Sequence, residues 1–139
     1  MDMIKIITDL LTANGIHCGQ SFPNGRMPIL EEPAVMVGRN GREITSAAIT
    51  NNLGYHGDDT VSAALCREEL FLHVYSPYLW GGRFCDRTTD RVLSVILKNI
   101  DVGMFEQIRQ TLNHYDAKTD CFRSEIYITV PMWVQLSSQ

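Results

Sequence analysis

The chain has 139 residues, 45% of them apolar and 20% charged, with a net charge of −4. That length suits one domain around a single core. The acidic balance argues against a general nucleic-acid binder, which needs a basic surplus for phosphates, and no apolar run approaches the roughly 20 residues that span a bilayer.

The opening Met1-Asp2-Met3-Ile4-Lys5 lacks the basic region and long apolar stretch of a signal peptide, so no secretion signal is expected. Cys18, Cys66, Cys85 and Cys121 form no C-x-x-C pair and read as free thiols. Asp2 can cap a helix running to about residue 14, with Met3, Ile4, Ile7, Leu10 and Leu11 on its apolar face. Gly15 sits where a left-handed residue ends a helix, and Ile16 can close back on the last turn. Residues 19–32 are turn-rich, and Pro23-Asn24-Gly25 has type II chemistry. Residues 33–37 form a short, continuously apolar strand, which predicts cover on both faces. Asn40-Gly41 is a hairpin signal that would send the chain back along residues 42–45. A long loop or hairpin is expected at about 46–64, where Asn51-Asn52, Gly54 and Gly57-Asp58-Asp59 cluster.

Residues 67–75 carry the strongest strand signal. Leu70, Leu72 and Val74 point one way, and Phe71, His73 and Tyr75 the other, so both faces are large and apolar or aromatic. The segment 76–82, with Pro77 and Gly81-Gly82, is a turn. Asp86 offers an N-cap for a helix to about residue 99, whose stripe is Thr89, Val92, Leu93, Ile96 and Ile100. Residues 101–103 break that helix, with Gly103 as its left-handed C′ residue. Residues 104–115 are ambiguous, with a strand favoured in the second half. Residues 116–120 form a turn, and 122–134 the last strand, in which Pro131 ends regular pairing or marks an edge. The expected fold is α+β: a largely antiparallel β-sheet with two α-helices packed on one face.

The sequence holds no catalytic, phosphate-loop or dinucleotide motif. His17, His56, His73 and His114 lack metal-ligand spacing. His73 reads as a hydrogen-bonded histidine on a sheet face, Glu31-Glu32 and Asp58-Asp59 as solvated carboxylates, and Cys66 and Cys85 as packing residues. No catalytic residue, metal or cofactor is therefore expected. Tyr75, Tyr78 and Trp80, with Arg83 just beyond and Trp133 near the C-terminus, exceed what one turn needs. The three aromatics either pack over the domain's own core or anchor a partner surface, since aromatics and arginine dominate binding hot spots; on the second reading these five residues are the expected interface of an assembly protein.

These residues also carry a family likeness. Phe22, Gly25-Arg26 ahead of Glu31-Glu32, the run Pro33-Ala34-Val35-Met36-Val37, the strand Glu68-Glu69-Leu70-Phe71-Leu72-His73-Val74-Tyr75 entering Ser76-Pro77, the amphipathic helix and Tyr127-Ile128-Thr129-Val130 resemble, in order and spacing, the lambda-type tail terminator proteins of long-tailed bacteriophages. The resemblance implies a structural virion protein at the head-proximal end of the tail. It would form a hexameric ring that caps the tail tube, ends its polymerisation and joins the head connector, while DNA passes through without specific binding. It implies homo-oligomers, tail tube protein and connector as partners, assembly in the host cytoplasm, and no catalytic residue. The alternative in the same setting is a neck or head-completion protein. A different class is a small-molecule-binding or enzymatic α+β domain using His73 and nearby carboxylates.

Overall fold

The computed structural model describes residues 2–19, 30–46 and 61–137. The order is α1 (Met3–Ala13), β1 (Cys18–Gly19), β2 (Ala34–Ser46), β3 (Val61–Pro77), a 3-10 turn (Tyr78–Trp80), α2 (Gly82–Asn99), β4 (Gln107–Gln110), β5 (His114–Asp116) and β6 (Cys121–Ser137). One sheet runs β1-β2-β3-β6-β4, and β5 continues the β4 edge along β6. Among the described residues only the two-residue β1 is parallel to its neighbour; the other pairings are antiparallel. The α+β class and the antiparallel sheet follow the sequence reading.

Local chemistry explains the ends of α1. The Asp2 carboxylate accepts from the Ile4 and Lys5 amides, which lack intrahelical partners. At the other end Gly15 takes φ +76°, and the Ile16 amide donates to the Leu11 carbonyl at 3.0 Å. That closure buries Ile16 against the core, as the sequence predicts.

The start of α2 corrects the expected cap. Gly81 at φ +84° turns the chain, and the helix begins at Gly82, four residues before Asp86. Asp86 lies inside the helix and instead accepts from Asn113 Nδ2 at 2.7 Å. The predicted stripe holds: Thr89, Val92, Ile96 and Ile100 are buried and Leu93 half-buried. Gly103 is not a left-handed cap. The helix closes at Ile100 in extended conformation, and Gly103 sits in a separate 3-10 turn with its amide on Asp101 Oδ1.

Both helices pack on one sheet face. Val35, Val37, Leu70, Leu72, Val74, Ile126, Ile128 and Val130 meet Ile4, Ile7, Leu11, Val92 and Ile96 there. Burial of each such side chain contributes about 1.5–3 kcal/mol. Met36, expected under cover, is half-buried on the opposite face, over which no described element packs.

The Asn40-Gly41 hairpin is overturned. β2 runs straight through the pair and stays hydrogen-bonded to β3 as far as Ser46. Arg39 faces Leu70 and Gly41 faces Glu69, so Asn40 is the extra residue of a β-bulge. Residues 47–60 of the expected loop or hairpin, and the Pro23-Asn24-Gly25 turn, lie outside the described residues, while residues 61–64 of that stretch belong to β3.

The ladder outruns the helices. β3 has 17 residues, about 56 Å of strand. α2 has 18 residues, about 27 Å of helix. Past the level of Glu69 and Thr129, β2, β3 and β6 continue as a three-stranded arm as far as Ser46 and Leu65, and β3 and β6 stay paired on to Val61 and Ser137.

Candidate functional site

Three surfaces could carry a function: the open sheet face, the edges of the arm, and the aromatic end of the sheet near Pro77. On the open face, Phe71 lies over Gly38, where a Cβ would come within 2.3 Å of the ring. Phe71 and His73 are in ring contact at 4.5 Å. Beside them, Arg109 sits 4.6 Å from the Tyr127 ring centroid, and the Tyr127 hydroxyl donates to Glu125 at 2.5 Å. Arg123 bridges Glu125 at 3.1 Å and Asp116 at 3.3 Å.

The electrostatics follow from this geometry. Burial alone would raise the Glu125 carboxyl, but the Tyr127 hydrogen bond and the Arg123 charge hold it below its ordinary value. The same hydrogen bond pushes the Tyr127 phenol up. Partial burial lowers His73 against the pull of Glu125, its cross-strand neighbour. His73 Nδ1 and Arg123 Nε are buried without a hydrogen-bond partner among the described residues, so this face is polar, tightly linked and not fully satisfied there. Burial raises the thiols of Cys18, Cys85 and Cys121, which disfavours the nucleophilic thiolate. Among the described residues no group of His, Cys, Asp and Glu could hold a metal ion, and no described helix is long and apolar enough to cross a membrane.

His73 yields a test. Its native pKa lies below 6.5, so as pH falls the unfolded chain takes the proton first. Stability should therefore drop as pH falls through 6.5 and level off below the native pKa. Urea unfolding at about pH 7.5 and about pH 5.5 should show this drop, and His73→Gln should reduce it. Glu125 adds its own loss only below 4.5.

The edges of the arm follow from ladder parity. The Val35 amide donates to the His17 carbonyl, just before β1, so odd residues of β2 direct their backbone outward, up to the bulge. Gly41 and Glu43 oppose odd residues of β3, as Gly38 and Met36 do, so beyond the bulge Arg42 and Ile44 are the outward ones. On β6 the carbonyls of Thr129 and Glu125 accept from Glu106 and Thr111, so odd residues face the β4 side. β4 ends opposite Thr129, leaving the backbone amides and carbonyls of Trp133, Gln135 and Ser137 directed outward. Pro131 lies at the first such position and, as expected, marks an edge. Both edges of the arm lack a strand partner among the described residues.

The five expected interface residues do not form one surface. Tyr78 (52% exposed) stacks on Phe122 and meets Tyr115 edge-on. Trp80 (45% exposed) leans edge-on against Phe84, and Arg83 is exposed one residue earlier in the helix. Tyr75 is buried on the open face. Trp133 opposes Leu65, ten residues along β3 from Tyr75, which is about 33 Å away. Its expected place beside Tyr78 and Trp80 is thereby overturned. Phe84, Tyr115 and Phe122 escaped the sequence reading. Phe84 was within reach, four residues after Trp80 as the chain enters a helix, whereas Tyr115 and Phe122 meet Tyr78 only through the sheet register. No protein-family model and no curated protein matches the chain.

Proposed function

We propose that the chain is the subunit of a homo-oligomeric ring of the phage tail terminator kind, capping a tail tube and joining it to the head connector. The observation that carries this reading is the three-stranded arm, whose two edges have no strand partner among the described residues. Such edges are a liability in a lone molecule. Pairing the β6 edge of one copy with the β2 edge of the next is heterologous, and it leaves neither arm edge free once a ring closes. The bulge at Asn40 and the charges of Arg39, Arg42 and Glu43 on the β2 edge would oppose indiscriminate pairing. An acidic subunit also suits a lumen through which DNA passes without being gripped. The test is light scattering over a range of concentrations, with electron micrographs of the protein mixed with tail tubes. Rings of six, free or on tube ends, are expected. A strict monomer that never decorates tube ends would refute the reading.

A further inference from the structure

At the end of the sheet opposite the arm, a cleft of about 420 Å3 opens between the end of α1, the start of β2 and the first turns of α2. Its walls include Ile16, Glu32, Trp80, Phe84, Arg87 and Arg91. Trp80 and Phe84 pack edge-on with ring centroids 4.7 Å apart, giving the cleft an aromatic side. Arg91 is held in place, donating to the Asn14 carbonyl at 2.7 Å. Arg83, Arg87 and Arg91 repeat at four-residue intervals, so they form one column along α2 that leans toward the cleft. Arg83 and Arg87 make no hydrogen bond or ion pair among the described residues. Glu32, the one carboxylate among the described residues that line the cleft, is engaged with His17 at 2.8 Å.

We infer that this cleft is a docking site for an acidic segment of a partner protein, which inserts an apolar side chain beside Trp80 and sets its carboxylates on Arg83 and Arg87. Charge complementarity favours that occupant. Two arginines with no ion-pair partner among the described residues stand out on a chain of net charge −4. Trp and Arg are the residues most enriched in binding hot spots. The cleft volume is that of a pocket for one or two side chains rather than a track for a strand of nucleic acid. The inference does not rest on the ring reading, because the arm edges lie at the other end of the sheet.

The test is fluorescence anisotropy with a labelled peptide carrying one phenylalanine between glutamates. Its lysine counterpart and a single-stranded oligonucleotide of about 12 nucleotides serve as controls. The acidic peptide should bind, weaken as salt rises from about 50 to about 300 mM, and lose about tenfold or more in affinity in Arg83→Glu/Arg87→Glu. Trp80→Ala should cost about thirtyfold, as hot-spot truncations do. Both variants should keep the native urea midpoint to within a small shift. If Trp80→Ala does not fold, the arginine variant decides. Binding should persist in a variant whose arm edge is blocked, so failure of the ring leaves this result intact. No binding at about 1 mM peptide, equal binding to the arginine variant, or tighter binding of the oligonucleotide at the same residues would each overturn the inference.

Discussion

Ile44→Pro and Gln135→Pro should each abolish ring formation while leaving a folded monomer with a cooperative melt. The argument is one of backbone direction. Ile44 and Gln135 both direct their amides away from β3, by the parity fixed by Val35 on β2 and by Thr129 and Glu125 on β6. Proline removes a donor from the free edge and leaves the internal ladder bonded, and edge positions are where strands tolerate it. Glu43→Pro is the internal control. Glu43 opposes Arg67 in a pair that exchanges bonds with β3, so the same substitution one residue away should cost a ladder bond and stability of about 1–3 kcal/mol. In light scattering, edge variants should run as monomers at concentrations where the native chain assembles, and urea midpoints should separate them from the control. Rings that survive both edge prolines would mean that copies do not meet through these strands.

What the sequence disclosed and what it hid differ in physical kind. Period and local caps are written in neighbouring residues, so the alternation 70–75, the α2 stripe and the Asp2 and Gly15 ends of α1 could all be read directly. Asn40-Gly41 has the composition of a two-residue turn, but a bulge uses similar residues, and 11 residue pairs with β3 on either side of it decide between them. Asp86 was plausible as a cap until the distant Asn113 claimed its carboxylate. The candidate site suffered most from register. Nothing local to Trp133 reveals that it opposes Leu65, or that Phe122 and Tyr115 stand across from each other under Tyr78. The arm, on which the ring reading rests, was hidden because strand length exceeds helix length only once the pairings are known.

Arg39→Met/Arg42→Met should destabilise the folded chain by about 3–5 kcal/mol, and adding Glu68→Leu should recover most of that loss. Glu68 lies on the helix-covered face, where the core gives way to the arm, with its side chain only 4% exposed. Arg39 Nε reaches one carboxylate oxygen at 2.7 Å and Arg42 Nη2 the other at 3.2 Å. Both guanidiniums are nearly half-exposed, so the burden of burial falls unevenly. Without Glu68 the arginines are simply hydrated. Without the arginines a carboxylate is left in apolar surroundings with no counter-charge. The bulge matters here, because the extra residue at Asn40 brings Arg39 and Arg42 onto the same side of β2, both over Glu68. Urea unfolding of the double and triple variants, with Glu68→Leu alone as the third corner, gives the coupling. If Glu68→Leu alone proves as damaging as the double variant, the triad is a favourable unit rather than a charge in need of neutralising. If the double variant is harmless, Glu68 reaches water in solution and does not close the core.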